Sequence, residues 1–280
     1  ANRKTSDKYM SKLTKDSHLL IRGGLHDGGY NYFAIRTNPN NPGGVSRIDN
    51  SNSQFGLLGV WSAMRGRVEV PRIYWLKVLK HWLSGQTRNG GWDYKNTPDG
   101  EPTHTMTVSG IASLYVCVDN LMAKRYIQCR GGKKIPPLVR GLEWLDRNFE
   151  ESLDEAGRRY YFLYGVERVA LASGYKYFGE IDWYKTGVRR LLTSQKGNGG
   201  WGNVWDTAFA LLFLARGRHP VLMNKLEYPG AWNNRPRALA SLTRWFSRTL
   251  EKEVNWQIIN LKAPVEEWHD ASILLITGHS

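Results

Sequence analysis

One acidic residue of the chain stands where a catalytic group would be useful. Asp206 follows a glycine-rich turn that ends at Trp201, and it precedes Thr207 and a long apolar run. A carboxylate at the start of a helix accepts hydrogen bonds from the free N–H groups of the first turn. A carboxyl group that is removed from water and supported by its neighbours can instead donate a proton. Asp206 is therefore either the N-cap of a helix or the acid of a catalytic site.

Five further residues are candidates for contacts with a ligand. His104 enters an apolar helix from a threonine-rich loop, and Glu167 interrupts another apolar helix. A buried acid costs free energy unless it is paired, so Glu167 either forms an ion pair with Arg168 or Arg159 or contacts a ligand. The other three candidates stand at helix entrances: Asp49, Tyr161 and Trp205. Aromatic residues at such places stabilise cations or stack on sugars, or they only pack, and His104 is alternatively a local hydrogen-bonding residue.

The composition describes a folded and strongly basic chain. Of its 280 residues, 41% are apolar, and the formal net charge is +14. The basic residues are scattered, which favours a broadly positive surface with non-specific attraction for polyanions rather than specific nucleic-acid recognition. No stretch approaches the ~20 apolar residues of a membrane span. The chain begins at Ala1, so a removed leader and an extracytoplasmic location stay open.

Two cysteines give no sign of a metal site or of a disulfide framework. Cys117 lies in an apolar run and is interpreted as a small core residue, and its spacing from Cys129 fits no zinc pattern. We therefore expect no metal and no cofactor.

The elements that must position these candidates recur along the chain, with a period of about 55 residues. Four apolar helical patterns carry a small residue at the same place, which would let a neighbouring helix approach closely: Gly56, Gly110, Gly165 and Ala210. Amphipathic patterns alternate with them at residues 72–85, 138–150 and 181–194. The first of these places Ile73, Leu76, Leu79 and Leu83 on one stripe. The alternation predicts a mainly α protein, with a half-exposed outer layer and a buried inner layer of helices.

Two turns, each of which connects an outer helix to the next inner helix, share one sequence motif. Residues 86–92 and 195–201 both read Gln-x-x-x-Gly-Gly-Trp, and residues 26–30 are a degenerate copy. Glycine permits positive φ, and a tryptophan covers a helix end while its N–H finds a partner. The glutamine can reach the free amides of the next helix. We interpret these turns as structural clasps.

These repeats resemble the QW motif of the squalene–hopene cyclase and prenyltransferase superfamily. The resemblance covers roughly residues 5–250 and implies an α/α toroid of helical hairpins, here assigned to residues 1–250. It also implies a ligand in a central funnel, where family members bind prenyl chains or protein tails. For this chain the ligand would be a lipid, a glycan or a peptide.

The catalytic motifs of that superfamily are changed or missing. Triterpene cyclases use Asp-x-Asp-Asp-Thr-Ala, whose middle acid protonates an alkene, whereas residues 203–208 read Asn-Val-Trp-Asp-Thr-Ala. Only Asp206 remains of the three acids. The Asp-x-Cys pair of the zinc-dependent prenyltransferases and the Cys-Gly-Glu-Gln of the thioester proteins do not occur.

The end of the chain changes character. Residues 254–261 alternate and are rich in β-formers, and residues 271–278 form a short apolar run that ends at glycine, as a buried parallel strand does. We assign residues 251–280 to the start of an α/β domain that resembles an uncharacterised amidotransferase-like domain of some bacterial proteins. The resemblance implies that flanking regions of a longer chain are missing.

Three hypotheses about function follow. The first is a scaffold that binds a ligand or a partner, favoured by intact clasps and absent catalytic motifs. The second is an enzyme of altered chemistry, a cyclase, lyase or hydrolase, that uses Asp206 with His104 or Glu167. The third is polyanion binding by the basic surface, which would weaken steeply with salt.

Overall fold

The computed structural model describes residues 3–32, 48–127, 135–154 and 158–278. They divide into two compact units, Ala1–Leu121 and Met122–Ser280, with the boundary inside a helix. Both units are built mainly from helices, which confirms the predicted mainly α class. None of the helices in these ranges is long and apolar enough to cross a membrane.

The described residues of the first unit form four helices. They are α1 (Arg3–Gly23), α2 (Asn50–Arg65), α3 (Arg72–Ser84) and α4 (His104–Ile127), of which α4 continues past the boundary. Between Thr105 and Val118 nearly every residue of α4 is buried, as predicted for an inner helix. Its buried side chains are both apolar and small polar, so the helix has no exposed stripe over this stretch.

The buried face of α3 is not the leucine stripe that the sequence suggests. Ile73, Leu76 and Leu83 are 59%, 40% and 38% exposed, whereas Tyr74, Trp75, Val78, His81 and Trp82 are buried. The aromatic rings remove more apolar surface from water than the leucines would, and this outweighs the regular spacing of the leucines.

The second unit begins with helices and ends with a sheet. Its elements are α5 (Pro136–Asp154), α6 (Arg159–Ser173), β1 (Tyr177–Phe178), β2 (Ile181–Asp182), α7 (Trp183–Ser194), α8 (Val204–Gly217), β3 (Val221–Glu227), α9 (Ala238–Thr249), β4 (Asn255–Asn260), α10 (Val265–Trp268) and β5 (Ile273–Leu275). β1 and β2 form a short antiparallel hairpin. β3 lies between β4 and β5 and is parallel to both.

The parallel sheet is larger than the sequence analysis predicted. β4 was predicted, but β3 was not, so the sheet begins before residue 251. Trp256, Ile258 and Met223 form its core with Leu239 and Ala240 of α9. β5 is parallel as expected but not buried: Ile273 and Leu274 are 44% and 39% exposed, because β5 is an edge strand with only β3 beside it among the described residues.

The helix α8 differs from the other predicted inner helices. Residues 162–167 of α6 are all buried, but α8 exposes one continuous apolar face. That face, which we call the α8 stripe, consists of Val204, Trp205, Ala208, Leu211, Leu212 and Ala215. α8 packs on α6 and α7 with its opposite side, and the chain then continues into β3 instead of another helix. The prediction of a buried α8 is therefore wrong.

Candidate functional site

The three predicted clasps are built by the same hydrogen bonds. In the first complete copy, the indole Nε1 of Trp92 donates to the carbonyl oxygen of Trp82 at 2.8 Å, and the Trp92 backbone N–H donates to Thr107 Oγ1 at 3.2 Å. In the second copy, Trp201 donates in the same way to Leu191 O at 2.8 Å and to Thr207 Oγ1 at 3.0 Å. Each tryptophan thus ties the end of the preceding helix to the first turn of the next.

The degenerate copy at residues 26–30 makes the equivalent bonds with a tyrosine. The hydroxyl group of Tyr30 donates to Leu20 O at 3.0 Å, and its backbone N–H donates to Ser53 Oγ at 2.8 Å. The carbonyl that accepts from the ring lies ten residues before the aromatic residue in all three clasps. The phenol hydroxyl group of Tyr30 and the indole N–H groups of the two tryptophans therefore donate equivalent hydrogen bonds in the clasps.

The glutamine of each complete motif makes a hydrogen bond within the turn. The side-chain Nε2 of Gln86 donates to Gly90 O, and that of Gln195 donates to Gly199 O, both at 2.7 Å. These bonds close the turn itself. The contact with the start of the next helix is made by the threonine or serine hydroxyl instead.

In two of the four repeats, the small residue has a different reason from the predicted one. A Cβ atom added to Gly110 would lie 2.4 Å from the ring of Trp92, and one added to Gly56 would lie 2.7 Å from the ring of Tyr30. The glycines therefore make room for the aromatic ring of the clasp rather than for a neighbouring helix.

The structure places Asp206 in a helix cap, but not at the N-cap position. The N-cap of α8 is Asn203, whose Oδ1 accepts from the Asp206 N–H at 2.9 Å, while Asp206 Oδ2 accepts from the Asn203 N–H at 3.3 Å. This reciprocal pair is a capping box. Asp206 is the third residue of α8, and the residues at the same place after the other clasps are Asn52 and Met106. The capping box accounts for this carboxylate by itself.

The other candidates at helix entrances also have structural contacts. Asp49 is the N-cap of α2, and its Oδ1 accepts from the Asn52 N–H at 2.8 Å. His104 is the first residue of α4. Asp49 and His104 belong to the first unit, whereas Glu167, Tyr161, Trp205 and Asp206 belong to the second.

Two of the aromatic candidates lie on the helix pair α6 and α8. The ring of Tyr161 is 5.3 Å from that of Phe209, which also lies 5.0 Å from the ring of Tyr164. Trp205 is 73% exposed at the start of the α8 stripe. Tyr161 is thus part of the packing between α6 and α8, and Trp205 is open to solvent.

Glu167 is the most unusual acid of the second unit. Its side chain lies in the middle of α6 with no exposed surface, and neither carboxyl oxygen has a hydrogen-bond partner among the described residues. Burial raises the pKa of Glu167 to about 7, although the charges of Arg168 and Arg216 act in the opposite direction. Neither Arg168 nor Arg159, the two partners considered in the sequence, donates a hydrogen bond to either carboxyl oxygen. The Arg168 guanidinium instead lies over the Tyr164 ring, 4.6 Å from its centroid.

Sequence reasoning missed two polar clusters. In the first unit, His81 is buried, and its Nε2 lies 2.8 Å from Asn50 Oδ1, while Asp27 Oδ2 is 3.6 Å from its Nδ1. In the second unit, Lys176 Nζ lies 2.7 Å from Glu267 and 2.6 Å from Asp270. The partners of these clusters are distant in sequence, so no local motif signals them. No group of three His, Cys, Asp or Glu side chains suited to a metal ion occurs in the part of the chain that the structure describes.

Comparison with known proteins does not assign the chain to a family. No model of a known protein family matches the chain, and no curated protein matches it at a significant level.

Proposed function

We propose that the helical hairpins belong to a divergent α/α toroid of the squalene-cyclase type that binds a ligand without converting it. The single observation that carries this proposal is the threefold recurrence of the clasp with the same hydrogen bonds. The one acid left from the cyclase motif, Asp206, is already engaged in a capping box. The repeated clasps thus support the proposed repeat fold, and the engaged Asp206 supports binding without conversion.

The exposed apolar side chains of the α8 stripe favour an apolar ligand over a glycan or a peptide. It combines Trp205, Leu211 and Leu212, which are 73%, 53% and 37% exposed, on one side of a single helix. A contiguous exposed apolar face of this kind marks an interaction site. A prenyl or fatty-acyl chain covers such a face without needing hydrogen-bond partners.

The test is binding of farnesol, measured by equilibrium dialysis. Leu211→Gln replaces an apolar contact on the stripe, and Leu192→Gln is the matched control, since Leu192 is 64% exposed on α7. We expect wild type and the control to bind equally and Leu211→Gln to bind about tenfold more weakly, because an apolar side chain in contact with ligand contributes about 1.5 kcal/mol. Absence of binding to wild type, or equal binding by both variants, would refute the proposal.

Glu167 favours a second candidate, an enzyme of altered chemistry. A buried carboxyl group with a pKa of about 7 has the property required of a general acid at neutral pH. This candidate requires product formation from squalene or a prenyl diphosphate that is lost in Glu167→Gln.

A further inference from the structure

The parallel sheet of the second unit carries a pocket that shares no residue with the clasps or with the α8 stripe. Its volume is about 710 Å³, within the range of ~300–1,000 Å³ that is usual for small-ligand sites. It lies where β3 ends at Glu227 and β4 ends at Asn260, and both residues line it. Open parallel sheets bind ligands in the crevice outside the carboxyl ends of their strands.

The walls of the pocket combine flat apolar surfaces with hydrogen-bonding groups. Three aromatic side chains, Tyr177, Tyr228 and Trp232, line it together with Pro229 and Pro264. The polar residues of the lining are Glu180, Glu227, Asn260 and Lys262. Lys262 Nζ lies 3.5 Å from Glu180 Oε1, and Asn260 Oδ1 accepts from the Lys262 N–H at 2.9 Å, so these groups retain further hydrogen-bonding capacity for a ligand. A ligand that fits must therefore present both apolar faces and polar edges.

The aromatic walls are held in place by contacts behind them. The hydroxyl group of Tyr228 donates to Thr277 O at 2.7 Å, and Thr277 Oγ1 donates to Trp232 O at 2.8 Å. The hydroxyl group of Tyr177 donates to the carboxylate of Glu267, which also forms an ion pair with Lys176. The pocket is thus largely formed before a ligand arrives, which lowers the entropic cost of binding.

The charges near the pocket oppose an anionic ligand. No arginine is among the described residues that line it, and the lining holds two acids, Glu180 and Glu227, against one ammonium group, that of Lys262. A phosphate or carboxylate in the pocket would therefore meet an excess of negative charge.

A cationic ligand is also disfavoured. The Nζ of Lys225 already lies 5.3 Å from the centroid of the Trp232 ring, and that of Lys176 lies 5.7 Å from the centroid of the Tyr177 ring. The Lys176 charge is compensated by Glu267 and Asp270, but the Lys225 ammonium group already occupies the neighbourhood of the Trp232 ring, and a second cation on that ring would be repelled by it.

From this lining we infer that the pocket binds a neutral saccharide. The C–H faces of a sugar ring stack on aromatic side chains, and its hydroxyl groups donate to carboxylates and accept from an amide or an amine. This assignment does not depend on the function proposed for the hairpins, since none of its residues lies in a clasp or on the α8 stripe.

The experiment is calorimetric titration of the purified chain with three neutral disaccharides, cellobiose, maltose and N,N′-diacetylchitobiose. Leu261 is 54% exposed and lines the pocket, so Leu261→Arg narrows it without disturbing the core. Leu250→Arg is the matched control, because Leu250 is 58% exposed and lies outside the lining. We expect at least one disaccharide to bind wild type and the control alike, and to bind Leu261→Arg about tenfold or more weakly.

A second variant tests the aromatic wall. We expect Trp232→Phe, which keeps an aromatic face, to retain most of the binding, and Trp232→Ala to lose it while the melting temperature reports on folding. If none of the disaccharides binds, or if Leu261→Arg binds as well as Leu250→Arg, the inference is wrong. Binding of AMP in place of the disaccharides would overturn it as well, because the pocket would then select an anion.

Discussion

Glu167 is the residue whose chemistry the fold constrains most. Its carboxyl group is fully buried and without a hydrogen-bond partner among the described residues, and its pKa is raised to about 7 from an ordinary value of 4.5. Between these two pH values the folded state binds more protons at this residue than the unfolded state does. The stability contributed by this residue therefore falls as the pH rises through this window, by about 3 kcal/mol in total.

We therefore expect Glu167→Gln to stabilise the protein at pH 8 by up to about 3 kcal/mol and to change its stability much less near pH 4.5. Urea unfolding at both pH values measures the difference. Glu151→Gln is the control, since Glu151 is an exposed residue of α5. A gain for Glu167→Gln that is the same at both pH values would show that ionisation of Glu167 is not the cause.

A second prediction concerns the two residues of the α8 capping box, Asn203 and Asp206. Asn203→Ala removes the acceptor of the Asp206 N–H and should cost about 1 kcal/mol of unfolding free energy. Asp206→Asn keeps an oxygen that accepts from the Asn203 N–H and should cost less, about 0.5 kcal/mol from the lost charge at the helix N-terminus. Thermal unfolding of the two variants checks this order, and the reverse order would contradict the assignment of Asn203 as the N-cap.

Among the elements, the clasp is the feature that sequence predicted best. Spacing alone located all three copies, because a tight turn needs glycine and a buried indole needs a partner for its N–H. The sequence suggested Asp206 as the N-cap, whereas the structure has Asn203 there, and both side chains cap helices well. It also misjudged α3, where Tyr74 and Trp82 are buried in preference to Ile73 and Leu76.

A glycine substitution tests the clasp as a unit. A Cβ atom at Gly110 would lie 2.4 Å from the Trp92 ring, whereas one at Gly23, the last residue of α1, would meet nothing within 4 Å. We expect Gly110→Ala to destabilise the first unit by about 1–3 kcal/mol, because the ring has no room to move. Gly23→Ala should change stability by less than about 0.5 kcal/mol. Chemical denaturation compares the two, and equal stability would mean that the ring is not held against α4.

The strands were harder to predict than the helices. β3 contains Asn224 and Lys225, two polar residues that are almost fully buried, so its sequence lacks both the alternation and the apolar run that indicate a strand. Asn224 Nδ2 donates to Trp268 O, and Lys225 Nζ donates to Asn233 Oδ1. Tertiary contacts of this kind compensate for burial, and a single sequence does not reveal them.

At the scale of the whole molecule, the fold brings residues together that are far apart in the sequence. The pocket of the second unit draws its lining from residues between Tyr177 and Pro264, and Lys176 reaches Asp270 across 94 positions. The sequence predicted the helical class and the repeats, which depend on local periodicity. It did not predict this pocket, which depends on how separate elements meet. The assignment of residues 1–250 to a toroid and 251–280 to another domain stays a prediction.

The central claim is that the hairpin repeats do not convert the apolar chain that we propose they bind. The most direct measurement is mass spectrometry of extracts after the purified chain is incubated with squalene and with farnesyl diphosphate, beside Asp206→Asn and Glu167→Gln. We predict that both substrates are recovered unchanged from wild type and from both variants. A new product that forms with wild type and disappears in either variant would contradict the claim and make that residue the acid.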